Sequence, residues 1–171
     1  MTANGIFGGE GALYIEGTGR FVVNNANTMT GAVNVNDTVT LAINEGKVLT
    51  SGKVTVDSGA TLEIASGVNT FGGLELKENS TIIFKFTKRS SPQIAIADGK
   101  TLTATGAVTV RISGDARPTS GVKVLTTCGG FDGVAVTLAD GAPEWVRGLS
   151  VNEDGNIVLD VKLQGTKVII R

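Results

Sequence analysis

Histidine is absent from the 171 residues, cysteine occurs once, at Cys128, and there are only 3 prolines and 5% aromatic residues. Without histidine the chain has neither the commonest metal ligand nor the side chain that most often serves as a general base near neutral pH. A single cysteine allows no intramolecular disulfide framework. Cys128 is either a buried, inert thiol or, in a secreted protein, one that pairs between molecules. Excess charge of one sign is also missing: the net charge of -1 leaves no basic surplus for nucleic acid. No run approaches the roughly 18 apolar residues of a membrane helix, and the start, MTANGIFGGEGALY, lacks the basic and apolar regions of a signal peptide. The fragment is therefore expected to be soluble, with no membrane insertion of its own.

What is present is glycine, 24 residues of it, with 41% apolar residues rich in Val, Ile and Leu, and abundant Thr and Asn. This is the composition of many short strands joined by tight turns. Four apolar columns recur at a spacing of about 20 residues. The first runs Leu13, Val33, Val54, Leu74, Ile94, and the second Ile15, Val35, Val56, Leu76, Ile96. The third runs Phe21, Leu41, Leu62, Ile82, Leu102, and the fourth Val23, Ile43, Ile64, Phe84, Ala104. Each pair of columns is separated by one residue, the alternation of a strand with one buried face. Between the two strands of a copy lie Glu16 to Arg20, Asn36 to Thr40, Asp57 to Thr61, Lys77 to Thr81 and Ala97 to Thr101. Their centres are rich in Gly, Asp and Asn, residues that accept positive φ, so they read as a repeated corner. Gly31, Gly52 and Gly72 precede the first strand, and Met29, Leu49 and Phe71 come slightly earlier, marking a short third side.

The expected fold is an all-β, single-stranded, right-handed parallel β-helix of about 20 residues per turn. About five regular turns fill residues 1–112, and residues 113–171 form an irregular C-terminal β cap that continues the solenoid. Phe21 and Phe84 are expected inside. After Ile112 the spacing falters, with only Val122 and Val124 still in step with the second strand. Strands are expected over Val122 to Thr127, Val134 to Leu138, Arg147 to Asn152, Asn156 to Leu163 and Thr166 to Arg171. Asp154-Gly155 between two alternating runs signals a hairpin. Trp145 is expected to cover an open end of the coil.

The runs Asn27-Thr28-Met29-Thr30-Gly31 and Asn69-Thr70-Phe71-Gly72-Gly73, each followed by Val-x-Val or Leu-x-Leu strands, resemble the passenger-associated strand repeat of bacterial autotransporters. Met29 and Phe71 stand where that family favours Tyr. The tail, from Val124-Leu125-Thr126 through Gly130-Phe131-Asp132-Gly133 and Trp145 to Ile157-Val158-Leu159, is similar to the close of such arrays. The resemblance implies a right-handed β-helix displayed or released at a bacterial surface, and it does not imply catalysis. The chain departs from the family plan in lacking a membrane barrel and an export signal, so it reads as a piece of a longer precursor.

Chemistry on such a coil would need clustered carboxylates on an outward face. The outward columns read Tyr14, Asn34, Thr55, Glu75, Ala95 and Val22, Ala42, Glu63, Ile83, Thr103, and neither gathers a carboxylate pair. Asp37, Glu78 and Asp98, with Ser58 between, line up at a corner, where turn formation accounts for them. Thr40, Thr61, Thr81 and Thr101 form a threonine column that packing of β-branched residues explains. Lys85, Lys88 and Arg89 beside Ser90-Ser91-Pro92 read as a protruding solvated loop, and Gly8-Gly9-Glu10-Gly11 as a flexible entry without phosphate-binding character, since no helix follows. No catalytic, metal or cofactor residue is assigned. The expected role is a non-enzymatic extracellular structural or adhesive segment. The alternative is a subunit that adds end to end through exposed strand edges, with a polysaccharide-active enzyme behind both. Partners would be surface glycans or proteins, or the protein itself in a head-to-tail homo-oligomer. Candidate assembly or capping residues are Thr166, Lys167, Val168, Ile169 and Ile170, with Trp145.

Overall fold

A computed structural model describes residues 1–3, 5–44, 51–88, 91–118 and 121–162. Among them there is no helix, and the chain forms a β-solenoid of about four turns with about 21 residues per turn. In chain order the strands begin with β1 (Thr2–Ala3), β2 (Gly8–Gly9), β3 (Leu13–Ile15), β4 (Thr18–Val23), β5 (Thr28–Met29), β6 (Val33–Val35) and β7 (Thr38–Ile43). They continue with β8 (Val54–Val56), β9 (Thr61–Ala65), β10 (Gly67–Phe71), β11 (Leu74–Leu76), β12 (Thr81–Lys85) and β13 (Pro92–Ile96). The last are β14 (Leu102–Ala104), β15 (Ala107–Ser113), β16 (Val122–Val124), β17 (Ala135–Leu138), β18 (Val146–Val151) and β19 (Ile157–Val161).

Three sides result. The long side is a seven-stranded sheet, β1-β4-β7-β9-β12-β15-β17, the short side a five-stranded sheet, β14-β11-β8-β6-β3, and the third side holds the pairs β2-β5 and β10-β13. All pairs within these sides are parallel. Alternation then sends Val33, Val35, Val54, Val56, Leu41, Leu62, Ile64, Leu74, Leu76 and Ile82 into a common interior, all fully buried. Each inward Leu or Ile contributes about 2 kcal/mol by leaving water, yet only because a neighbour above or below supplies the other half of its cavity. Met29 and Phe71 close the interior from the third side, and Phe84 is fully buried. Phe21 is only half-buried, near Phe7 at the first rung.

The fifth copy is not where a constant spacing puts it. Leu74 pairs with Leu102 and Leu76 with Ala104, a step of 28 residues, whereas Ile94 and Ile96 lie on the third side opposite Asn69 and Phe71. Likewise Val110 and Ile112, not Leu102 and Ala104, continue the columns of Ile82 and Phe84. Residues 86–91 join sides that Ser66 alone joins one rung earlier, and residues 97–101 replace Gly72-Gly73. Because all three sides share the same alternation, a slip of 20 residues lands one strand on the pattern of another.

Stacking also continues beyond Ile112. Ala107 to Val110 pair with Ala135 to Leu138, Ile94 bridges Thr126, and Gly130 lies against Leu102. Val122 and Val124 do not keep step with the second strand; they pair antiparallel with Asp160 and Val158 in a three-stranded sheet, β16-β19-β18. The Asp154-Gly155 hairpin joins β18 to β19, with Gly155 at φ 71°. Ile157, Leu159 and Val161 enter the core, and the buried Thr126 hydroxyl accepts the Ile157 N–H at 2.8 Å. Trp145 meets buried Phe86 edge to face, with ring centroids 5.1 Å apart. The segment read as a flexible entry instead contributes β2, parallel to Thr28–Met29.

The glycine before the first strand has a steric cause. A Cβ on Gly31, Gly52 or Gly72 would overlap the backbone carbonyls of Gly11, Gly31 and Ser51 one rung earlier. Gly72→Ala should therefore cost about 3 kcal/mol or more in urea unfolding. Gly17→Ala, at φ 92° but with open space around it, should cost only about 1 kcal/mol. Equal losses would refute the close-approach account. Phe86→Ala should cost about 3 kcal/mol and shift the emission of Trp145, the only tryptophan, to longer wavelength as its edge contact is lost.

Candidate functional site

The corrected register rewrites the outward columns. The short side presents Tyr14, Asn34, Thr55, Glu75 and Thr103, with Thr103 where Ala95 was expected. The long side presents Val22, Ala42, Glu63, Ile83 and Arg111, with Arg111 in place of Thr103. Beside it the threonine column is Thr40, Thr61, Thr81, Thr109 and Thr137, so Thr101 is not a member.

Charges on these faces are tied rung to rung. Arg20 reaches across β7 to grip Glu63 with both ends of its guanidinium, at 2.7 and 3.2 Å. Ala42 lies between them in the same face and is buried, its small side chain leaving room for the arginine. Lys85 approaches Glu63 from the other side at 3.6 Å, so the expected solvated basic run begins inside a strand, with Lys88 exposed beyond it. Arg89 and Ser90 lie outside the described residues. On the short side Lys53 pairs with Glu75 at 2.6 Å, and Lys77 with Asp57 at 2.6 Å. The Lys53 hydrogen bond, opposed by partial burial and aided by the fields of Lys53 and Lys77, holds the Glu75 carboxyl below the usual range. Contact with Asp57 raises Lys77. Carboxylates held ionised in this way serve poorly as general acids at neutral pH.

At the corner the backbone turns through positive φ at Gly17, Asp37, Gly59 and Asn79, and Asp37 and Asn79 are the only non-glycine residues to do so among those described. Asp37 also accepts the Gly17 N–H at 2.8 Å. Its column continues through Ser58 and Glu78, but Asp98 falls at a different corner, between β13 and β14. Among the described residues no group of three or more His, Cys, Asp or Glu could hold a metal ion. Cys128 is half-buried, and burial pushes its thiol pKa up, away from reactivity.

One concave feature stands at the N-terminal end, a recess of about 410 Å³ bordered by Leu13, Tyr14, Ile15, Glu16, Arg20 and Phe21. Two sheet edges meet there. β3 ends its sheet, and β1 covers β4 only at Val22 and Val23. The Leu13 N–H and the Ile15 carbonyl bond toward the next rung, so the Tyr14 peptide groups face the open side. Of the residues singled out for assembly or capping, Trp145 lies against Phe86, just after β12, and Thr166, Lys167, Val168, Ile169 and Ile170 lie outside the described residues. The Arg20–Glu63 pair and the recess escaped sequence reading because each joins residues of different rungs; only the column register brings them together.

The fold and these ladders define the class: a β-solenoid whose rungs are cross-linked by outward ion pairs. No family model, curated protein or solved structure matches the chain. The likeness to autotransporter passengers accordingly rests on the repeat residues and the solenoid.

A pH prediction follows from Glu75. Its lowered pKa adds stability that is present above the unfolded carboxyl pKa and is lost as pH falls through the folded value. Lys53→Met should lower the urea midpoint slightly at neutral pH, and the gap should close on acidification below about pH 4. A gap that persists in acid would assign the effect to packing of the lysine stem.

Proposed function

We propose that this chain is a non-enzymatic structural or adhesive β-solenoid, a rigid segment of a bacterial extracellular or cell-surface protein. The observation that carries this reading is the use made of outward charge: Arg20–Glu63, Lys53–Glu75 and Asp57–Lys77 each join successive rungs or span two. Such pairs brace a rod and leave their carboxylates engaged. A glycoside-cleaving site would instead need two carboxylates facing one another across a cleft. Glu63, held between Arg20 and Lys85, does not offer that arrangement. The repeat resemblance supports the surface location, where glycans or proteins would meet the outward columns around Tyr14, Asn34 and Thr55.

The test pairs a glycan array with a turnover assay on soluble polysaccharides. Expected are unchanged polysaccharide chain lengths and, for a bound glycan, loss of signal on Tyr14→Ala with the fold intact by circular dichroism. New reducing or unsaturated ends produced by the purified chain would overturn the reading.

A further inference from the structure

We propose that Asn79 is a carbohydrate attachment site, its side-chain amide accepting a hexose from a nucleoside diphosphate sugar. The proposal goes beyond the structural or adhesive reading; its test reads covalent mass, not turnover or glycan binding, so either can fail alone.

Three observations carry it. First, two stretches have the form Asn-x-Ser/Thr without proline at the middle position, Asn36-Asp37-Thr38 and Asn79-Ser80-Thr81. This is the pattern that asparagine glycosyltransferases read. Both fall at the corner between the short and long sides, Asn36 after β6 and Asn79 after β11. The fold separates them. In the first, positive φ at Asp37 puts the bend inside the triplet, so Asn36 stays with the short side while Thr38 opens β7. Half-buried Asn36 also gives its Nδ2 to Glu16 at 3.0 Å. In the second, positive φ is at Asn79 itself, and the triplet then alternates: Asn79 is exposed, Ser80 is fully buried, and Thr81 returns to the outward face at the start of β12. Amide and hydroxyl stand on one side of the chain, open to a single recognising surface.

Second, the Asn79 amide is free while its backbone is fixed. The Asn79 N–H donates to the Ala107 carbonyl at 2.7 Å, and its carbonyl accepts the Gly59 N–H at 3.3 Å. The side-chain amide has no hydrogen-bond partner among the described residues. Positive φ at this corner is met by Gly17, Asp37 and Gly59 on other rungs, so turn geometry does not itself call for an amide.

Third, there is room. The residues level with Asn79 on neighbouring rungs are Gly59, Ala107 and, one rung further, Ala135. None has a side chain longer than a methyl group. A sugar on Asn79 therefore lies over a shelf of small residues and displaces nothing from the core.

The transfer is a substitution at the anomeric carbon. Asn79 Nδ2 forms the new C–N bond as the bond from that carbon to the diphosphate oxygen breaks. The nucleoside diphosphate departs, and Nδ2 loses one proton to a base of the transferase.

The folded full chain, incubated with a soluble asparagine N-glycosyltransferase and nucleoside diphosphate-linked glucose, tests this by intact mass and peptide mapping. One added hexose is expected, at Asn79 and not at Asn36, with the urea midpoint unchanged. Thr81→Val keeps a β-branched strand residue but removes the hydroxyl, and should lower incorporation at least about tenfold, whereas Thr81→Ser should retain it. Asn79→Gln should abolish it, and circular dichroism would show any fold defect in these variants separately. No added mass, modification at Asn36 in place of Asn79, or Thr81→Val serving as well as the parent chain would overturn the proposal. A modified chain with a markedly lower urea midpoint would refute the shelf.

Discussion

Parallel hydrogen bonding between rungs, at a spacing of about 4.8 Å, is the constraint on which the rest of this molecule depends. It forces each position to share its environment with the positions above and below. Inward residues must therefore be apolar in every rung, the corner must pass through positive φ in every rung, and the third corner must be glycine where carbonyls of the previous rung leave no space for a Cβ. No rung has a core of its own, so stability is shared between neighbours.

The two ends answer this differently. At the C-terminal end the solenoid lengthens its rungs to 28 residues, then turns into an antiparallel sheet whose Ile157, Leu159 and Val161 complete the core. The buried hydroxyl of Thr126 joins that sheet to the last third-side strand position. At the N-terminal end β1 and β2 pair in parallel with β4 and β5, and the recess lies beside β3 and β4. Outward chemistry between the ends is dominated by cation–carboxylate pairs that link rungs. Each is worth little singly in water, but together they favour one register over its neighbours.

Legibility varied with how local the cause was. The alternation of Val33-Asn34-Val35 or Leu41-Ala42-Ile43, the corner at Asp37, the Asp154-Gly155 hairpin and the first four members of each column could be read from the chain, since each reflects a few adjacent residues or a constant spacing. The fifth members could not. Ile94 and Leu102 are equally good inward residues, and the choice between them was made by the length of residues 86–91 and 97–101, not by local pattern. The same error hid Arg111 and Thr109 in their columns and placed Asp98 at the wrong corner.

Sequence by itself determined that this is a stacked all-β coil, because burial on one face of short strands imposes a period of two within a rung and near-identity between rungs. Tertiary structure decided where the long rungs expand, which residues share an outward column, and that Arg20 reaches Glu63 past Ala42. These are properties of register across many residues, fixed by backbone pairing and close approach, and no short stretch of chain encodes them.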